Sequence, residues 1–235
     1  MSQVVILAGG LATRLGDLTR ETPKALLPVA GRPFLAWQLG RHARSGYDDA
    51  LLLTGYLGDA IAAFVGDGSA FGLRARVLGD GPELLGTAGA LRHALDALDD
   101  EFLVTYGDSY LPFDYSGPLV DLRSHAGALG TMSVFHNAGR WDASNTLVRG
   151  DTVVRYEKGS TDPELDHIDY GAIALRRSVV AELPAGERRG LDAIQTDLAR
   201  RGVLRAYLAT RRFYEIGSPA GLAELDRLLS EGEPE

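Results

Sequence analysis

The first residues in this chain that could do chemistry form a glycine-rich loop with two cations. An apolar run, Gln3–Ala8, leads directly into the loop at residues 9–16, which contains Arg14, and Lys24 follows ten residues after Arg14. Glycines let backbone N–H groups approach an anionic ligand closely, and the two cations can meet its oxygens from different sides. The combination suits a polyphosphate and predicts an enzyme that handles nucleotides.

Alternating strands and helices must position this loop. In the first half of the chain, apolar runs typical of strands buried on both faces alternate with segments of helical periodicity. The predicted strands are 3–8, 50–54, 73–78 and 101–106, and the predicted helices are 34–44, 57–65 and 87–98. This alternation predicts an α/β fold with a Rossmann-like, doubly wound and mostly parallel sheet.

The pattern changes after Leu122, where strand-like segments dominate. A tight turn at 149–151 joins two of them into a β-hairpin, which we expect to extend the sheet. The strand-like segments are 130–136, 146–149, 152–156, 168–175 and 204–210, and further helices are expected at 191–200 and 219–229. We expect one domain over residues 1–230 and a frayed acidic tail at 231–235.

Composition and charge narrow the class of protein. The 235 residues carry a formal net charge of −8 without a basic block, so nucleic acid is not an expected partner. The absence of cysteine excludes disulfides and thiol catalysis. We expect neither a signal peptide nor a membrane span, and hence a cytoplasmic protein. The five histidines lack metal-ligand spacing, and the sequence suggests no carboxylate partner for any of them.

Three polar sites fall where predicted strands end. They are the loop at 9–16, the pair Gly107-Asp108 and Glu215 near the C-terminal helix. In an open parallel sheet, ligands bind beyond the carboxyl ends of the strands. We therefore expect these three sites to converge on one crevice.

The loop Leu7–Leu15, the pair Pro23-Lys24 and the turn Pro28–Pro33 resemble the signature of the sugar-1-phosphate nucleotidylyltransferases, with Ala12 where glycine is usual. The resemblance covers nearly the whole chain. It implies the nucleotide-diphospho-sugar transferase fold and a Mg²⁺-dependent reaction of a nucleoside triphosphate with a sugar 1-phosphate, giving a sugar nucleotide and pyrophosphate. The chain is most similar to short members, such as heptose-1-phosphate guanylyltransferases and N-acetylmuramate-1-phosphate uridylyltransferases.

The same resemblance implies the roles of particular residues. Arg14 corresponds to the catalytic cation on the β- and γ-phosphates, and Lys24 to the one on the α-phosphate. Asp108 corresponds to a metal ligand, and Glu215 stands where a second metal-binding aspartate is usual. The implied nucleotide-binding residues are Leu7, Ala8, Gly9, Gly10, Leu85, Gly86, Thr87 and Gly107. The implied sugar-phosphate-binding residues are Asn145, Glu157, Lys158, Asp169 and Gly171.

The sequence leaves the substrates and one other class of protein open. Heptose 1-phosphate with GTP is the leading pair, and N-acetylmuramate 1-phosphate with UTP, or a hexose 1-phosphate, is the alternative. A sensor that binds sugar nucleotides without turnover is the alternative class. A Rossmann oxidoreductase is disfavoured because Leu53-Thr54-Gly55 stands where an acidic residue should end the second strand. We expect a monomer or a homodimer.

Overall fold

A computed structural model describes residues 2–10, 13–81, 83–137 and 139–232 of the protein. In chain order the strands are β1 (Gln3–Ala8), β2 (Pro28–Val29), β3 (Arg32–Pro33), β4 (Asp49–Thr54), β5 (Arg74–Gly79), β6 (Glu101–Tyr106), β7 (Ser109–Tyr110), β8 (Gly130–His136), β9 (Thr146–Arg149), β10 (Thr152–Tyr156), β11 (His167–Arg176), β12 (Leu204–Ala209) and β13 (Tyr214–Glu215). The α-helices are α1 (Phe34–Arg44), α2 (Gly58–Val65), α3 (Gly86–His93), α4 (Ser116–Ser124), α5 (Arg177–Ala181), α6 (Leu191–Arg200) and α7 (Pro219–Glu231).

Backbone contacts divide the chain into two compact units. The first comprises Met1–Leu84, Thr105–Pro112 and Phe213–Glu235, and the second comprises Leu85–Val104 and Phe113–Arg212. The expectation of one domain over 1–230 stays a prediction. In the expected acidic tail, Glu231 ends α7, and residues 233–235 lie outside the described residues.

The first unit contains parallel strands in the order β5-β4-β1. Gln3 lies opposite Asp49, and Ala8 lies opposite Thr54. Every residue of β4 is buried, as expected for a parallel strand covered on both faces. The register brings the carboxyl ends of these strands to one edge, so the glycine loop after β1 begins at that edge.

A separate apolar cluster in the first unit holds the C-terminal helix in place. Phe34 begins α1, Ile216 follows β13, and Leu225 and Leu229 lie on one face of α7; all are buried together with Val29 and Tyr110. The N-terminus of helix α7 is stabilised because Ser218 Oγ accepts a hydrogen bond from Gly221 N at 3.1 Å and Pro219 occupies the first turn. This packing fixes β13 and the carboxylate that it carries.

The second unit contains the strands β11, β8, β12, β10 and β9 in that order of pairing. Strands β8 and β12 are parallel, whereas β11–β8 and β10–β9 are antiparallel. The predicted hairpin is confirmed: Gly150 adopts a φ of +58° between β9 and β10. Strand β9 also pairs with β11, where Thr146 lies opposite His167. None of the described helices has both the length and the apolar composition needed to cross a membrane.

Candidate active site

Lys24 and Asp108 form an ion pair in the first unit. Lys24 Nζ lies 2.5 Å from Asp108 Oδ2, although 84 residues separate them. Only 16% of the lysine side chain and 24% of the aspartate side chain are exposed. Partial burial strengthens the interaction because water screens the two charges less than at the surface. The structure thus brings together two of the residues that the sequence predicted to act together.

The turn that carries Asp108 is held by backbone and side-chain contacts. Gly107 N donates to Leu7 O at 2.9 Å, which ties the turn to the end of β1. A Cβ at Gly107 would lie 3.0 Å from the same carbonyl oxygen, so glycine permits this close approach. The buried Gln38 donates through Nε2 to Tyr106 O at 2.8 Å and to Ser109 O at 2.9 Å. These bonds lie on both sides of Gly107-Asp108 and hold the backbone of the turn that carries the carboxylate.

Glu215 lies beside this turn because β13 pairs with β7. Glu215 is the register partner of Ser109, and Ile216 N donates to Asp108 O at 3.0 Å. Arg14 reaches the same neighbourhood: a Cβ at Gly217 would lie 3.0 Å from Arg14 Nη2 and 3.8 Å from Glu215 Oε2. The two cations and two carboxylates predicted for catalysis and metal binding are therefore clustered in one unit.

The glycine loop begins with residues packed against neighbouring strands. Leu7 and Ala8 end β1, and a Cβ at Gly9 would lie 3.2 Å from Gly55 N, so glycine avoids a tight contact with the backbone there. Gly10 follows it at the exposed end of the described loop. The predicted departure at Ala12 lies outside the described residues.

The predicted base loop, Leu85–Thr87, lies in the second unit against the segment 187–191. Gly86 has a φ of +72°, and a Cβ there would lie 2.7 Å from Arg189 O. A Cβ at Gly89 would lie 2.6 Å from Glu187 O. Both glycines are therefore explained by contact with protein backbone, whereas the sequence suggested that small residues here admit a flat base. The nucleotide-binding role of this loop stays a prediction.

Replacing Gly89 should destabilise the protein although alanine is the better helix former. The new Cβ of Gly89→Ala would lie 3.0 Å from Leu85 Cβ and closer still to Glu187 O, so the backbone must shift. We expect the free energy of unfolding of Gly89→Ala, measured with urea, to be about 1–3 kcal/mol lower than that of the wild type. Gly127→Ala is the matched control because a Cβ there would meet no described heavy atom within 4 Å. Equal stability of the two variants would contradict the packing argument.

The predicted sugar-phosphate residues Asn145, Asp169 and Gly171 form a hydrogen-bonded group in the second unit. Asn145 Oδ1 accepts from Asp169 N at 2.9 Å, and Asp169 Oδ1 accepts from Gly171 N at 2.9 Å. Gln195 Nε2 donates to Asp169 Oδ2 at 2.7 Å. Burial raises the pKa of Asp169, against the opposing effects of these two donors and of Lys158. The carboxylate is held in a fixed direction with lone pairs left for a further donor.

Glu157 and Lys158 follow β10 beside this group. Glu157 N donates to Asn145 O at 2.8 Å, and Lys158 Nζ lies 3.9 Å from Asp192 Oδ1 on α6. Lys158 is 70% exposed, so its pairing with Asp192 is weak and leaves the ammonium available to an anionic ligand. The structure brings all five predicted sugar-phosphate residues into one neighbourhood.

Two histidines lie beside carboxylates that the sequence did not suggest as partners. His167 Nδ1 lies 2.6 Å from Asp166 Oδ1, and His125 Nδ1 lies 3.5 Å from Asp121 Oδ1, which corrects the sequence interpretation. His167 lies opposite His136 in the pairing of β11 with β8, and the two imidazole rings lie 5.1 Å apart. His42 is a core residue, as expected: burial, with the charge of Arg41, lowers its pKa to about 3.

Three supporting residues were missed from the sequence. Gln38 fixes the Asp108 turn, Gln195 fixes the Asp169 carboxylate, and Asp192 pairs with Lys158. A polar residue at an otherwise apolar helix position is the only sequence signal for the two glutamines, and both are buried in amphipathic helices. That signal indicates a buried polar contact without naming its partner.

The family model described as nucleotidyl transferase matches residues 3–144. The chain therefore belongs to the nucleotidyl transferase family, and the resemblance seen in its motifs is confirmed. It is 31% identical over 202 residues, 80% of this chain, to mannose-1-phosphate guanylyltransferase from Mycobacterium tuberculosis; the match covers 52% of that protein, so this chain spans about half its length. It is 24% identical to D-glycero-alpha-D-manno-heptose 1-phosphate guanylyltransferase from Campylobacter jejuni, over 92% of this chain and 95% of that protein.

A solved structure shows the same fold. The chain superposes with a TM-score of 0.84 and 22% identity on a protein from Bacillus anthracis described as a glucose-1-phosphate thymidylyltransferase, in complex with sucrose. The match covers 98% of this chain and 96% of that one. The predicted fold class is therefore confirmed.

Proposed function

We propose that the protein joins a nucleoside triphosphate to a sugar 1-phosphate, giving a sugar nucleotide and pyrophosphate. The observation that carries the proposal is the clustering of Lys24, Asp108 and Glu215 with Arg14 of the glycine loop in the first unit. Membership of the nucleotidyl transferase family supports it. Two cations and two carboxylates at one place suit the handling of a polyphosphate with a divalent metal.

In the proposed reaction, an anionic oxygen of the sugar phosphate attacks the α-phosphorus of the nucleotide. A new P–O bond forms as the bond between the α-phosphorus and the bridging oxygen breaks, and pyrophosphate leaves with that oxygen. The attacking oxygen is already ionised near neutral pH, so no side chain has to take a proton. Lys24 neutralises charge that builds up on the α-phosphate, and Arg14 holds the β- and γ-phosphates; catalysis consists of positioning and charge neutralisation.

The donor set fits Mg²⁺, with Asp108 and Glu215 as the protein ligands. Both supply hard carboxylate oxygens. The hydrogen bond from Ile216 N to Asp108 O keeps Glu215, the residue before Ile216, next to Asp108. Over the described ranges, no group of three or more His, Cys, Asp or Glu side chains is arranged to hold a metal. This agrees with the usual mode of Mg²⁺ binding, through one or two carboxylates, waters and substrate phosphates. Bound Mg²⁺ would supply Lewis-acid polarisation of the phosphate oxygens.

The group around Asp169 suits the recognition of the sugar phosphate. Lys158 offers an exposed ammonium for the phosphate, while the fixed Asp169 carboxylate and the Asn145 amide can bind hydroxyl groups. Heptose 1-phosphate with GTP is the leading substrate pair, and the names of the two guanylyltransferase relatives support GTP. N-acetylmuramate 1-phosphate with UTP, or another hexose 1-phosphate, is the alternative. Such substrates suit a cytoplasmic enzyme, whether monomer or homodimer.

Pyrophosphate release tests the proposal. The full chain is assayed with MgCl₂ across a grid of GTP, UTP, CTP, ATP and dTTP against heptose, N-acetylmuramate and common hexose 1-phosphates. We expect one strong combination, with activity lost on chelation of the metal. A folded protein that binds a sugar nucleotide but releases no pyrophosphate in any combination would support the non-catalytic sensor instead.

Asp169→Asn should weaken recognition of the preferred sugar 1-phosphate. An amide replaces a charged acceptor with a neutral one, and we expect kcat/KM for that sugar to fall about tenfold. The fold should persist because Gln195 can bond to either side chain. Gln195 Oε1 has no hydrogen-bond partner among the described residues, so the Gln195 amide can turn and accept from the amide group that replaces the carboxylate. Asp100→Asn, at an exposed carboxylate of the same unit, is the control and should leave kcat/KM unchanged.

The same variant should change how stability depends on pH. Because burial raises the pKa of Asp169, ionising this carboxyl costs folding free energy. The wild type should therefore lose stability relative to Asp169→Asn as pH rises from below the ordinary carboxyl range toward neutrality. Urea unfolding of both proteins measures the difference. If the wild type instead loses stability relative to Asp169→Asn as pH falls, the folded protein favours the ionised carboxylate.

A further inference from the structure

The base loop and the segment before α6 satisfy each other's backbone groups. Arg189 N donates to Leu85 O at 2.8 Å, and Arg189 O accepts from Ala88 N at 2.9 Å and from Gly89 N at 3.2 Å. Amides in the first turn of a helix have no partner within the helix. The segment before α6 therefore caps the start of α3, the helix that follows the base loop.

Thr87 in turn caps the N-terminus of α6. Its Oγ1 accepts a hydrogen bond from Leu191 N, the first residue of α6, at 2.6 Å across 104 residues of sequence. Gly190, which precedes α6, offers no capping side chain. Thr87 thus supplies the N-terminal cap of a helix to which it does not belong.

The first turns of α6 also touch the group around Asp169. Gln195 Nε2 donates to Asp169 Oδ2 at 2.7 Å, and Thr196 Oγ1 donates to Tyr156 O at 3.3 Å. Asp192 on the same helix lies 3.9 Å from Lys158. One helix is therefore bonded to the base loop through Leu191 and to the sugar-phosphate residues one turn later.

We propose that Thr87 is a positioning residue that couples occupancy of the base loop to the sugar-phosphate group through α6. A base bound at Leu85–Thr87 orders the Thr87 side chain, the Thr87–Leu191 bond orders the start of α6, and α6 fixes Asp169 and Lys158. Binding of the nucleotide then favours binding of the sugar phosphate, and by reciprocity the reverse also holds. The coupling rests on the proposed function, together with the predicted nucleotide-binding role of Leu85–Thr87.

Amide hydrogen exchange tests the coupling without requiring turnover. The full chain is compared with and without each of GTP, UTP, CTP, ATP and dTTP, in the presence of MgCl₂. In the wild type, the nucleotide that binds should slow exchange at residues 191–196 by about fivefold or more, the lower end of typical coupling. Thr87→Val has the same shape without the acceptor and should lose this response. Thr87→Ser keeps the hydroxyl and should retain it.

Kinetics give a second readout that a purely structural cap would not move. With the substrate pair found by the pyrophosphate assay, Thr87→Val should raise KM for the sugar 1-phosphate about tenfold, with a smaller change in KM for the nucleotide. Ser124→Ala is the control: it removes an exposed hydroxyl that bonds Val120 O within α4, away from both the base loop and α6, and should keep the exchange response.

The outcomes separate the coupling from the proposed function. Nucleotide binding without protection at 191–196 in the wild type, or equal protection in Thr87→Val, would overturn the coupling. A lower melting temperature of Thr87→Val with an unchanged response would show that Thr87 is a structural cap. Failure of the wild type to bind any of the nucleotides would count against the proposed function itself, and the coupling would fall with it.

Discussion

Asp108→Asn is expected to lower kcat about a thousandfold or more while the protein stays folded. The amide keeps an oxygen that can accept from Lys24, whose Nζ lies 2.5 Å from the carboxylate in the wild type. It loses the negative charge, which is the property that both the ion pair and a bound metal require. A loss of about 4 kcal/mol of transition-state stabilisation corresponds to a thousandfold in rate. Pyrophosphate release at saturating substrates measures the effect.

Asp17→Asn is the matched control for this variant. Asp17 lies in the same N-terminal region as Lys24, its side chain is 92% exposed, and it forms a surface ion pair with Arg20 at 3.1 Å. We expect wild-type activity from Asp17→Asn and an unchanged circular dichroism spectrum from both variants. Wild-type turnover by Asp108→Asn would contradict the proposed role of Asp108 as a metal ligand.

Lys24→Met is expected to lower kcat by about a hundredfold to a thousandfold. A fixed ammonium in a partly dehydrated site stabilises developing charge more than it would in water, and removal of one such group typically costs this much. The variant also leaves the Asp108 carboxylate, which is only 24% exposed, without its cation. We therefore expect some loss of stability as well, which a melting curve records separately from the rate.

Arg20→Met is the control for the loss of a cation. The Arg20 side chain is 76% exposed and belongs to a surface pair, so its removal should leave the rate unchanged. The double variant Lys24→Met with Asp108→Asn adds a further check. If the two residues act as a unit, the double variant should be far less impaired than the product of the two single effects predicts. Strictly multiplicative losses would indicate that the two side chains act independently.

Much of the fold was predictable because its strands and helices follow simple periodicities. Strands β1 and β6 and helices α1 and α6 have the predicted bounds, since each begins or ends at an abrupt change in hydrophobic pattern. The two-residue strands β7 and β13 have no period to detect. Only the pairing of Glu215 with Ser109 shows that they place the second carboxylate beside Asp108.

Helix α4 was not predicted because its first turn contains Gly117 and Pro118, residues typical of turns. Proline is compatible with the first turn of a helix, where its missing N–H would have no partner. Glycine leaves room for a side chain from β12, because a Cβ at Gly117 would lie 2.2 Å from the hydroxyl oxygen of Tyr207. This contact spans 90 residues of sequence, so the local pattern cannot explain why a glycine stands in the helix.

In the candidate site, too, some residues could be predicted from the sequence and others could not. Charged residues in long motifs, such as Arg14, Lys24 and Asp108, could be assigned roles because the motif itself resembles a known family, and those roles stay predictions. The residues that position these side chains or the base loop could not be predicted, because their hydrogen-bond partners are backbone atoms. Gln38 donates to two carbonyl groups, and Thr87 accepts from the Leu191 amide. Every residue has such backbone groups, so no sequence pattern marks them as partners.

Transfer of label from the nucleotide is the most direct test of the central claim. The enzyme is incubated with MgCl₂, the sugar 1-phosphate selected by the pyrophosphate assay, and the matching nucleoside triphosphate labelled at either the α- or the γ-phosphate. We predict that α-label appears in the sugar nucleotide and γ-label in pyrophosphate, in equal amounts. Release of γ-label as inorganic phosphate, with α-label left in the nucleoside diphosphate, would contradict it, because that result shows attack at the γ-phosphorus.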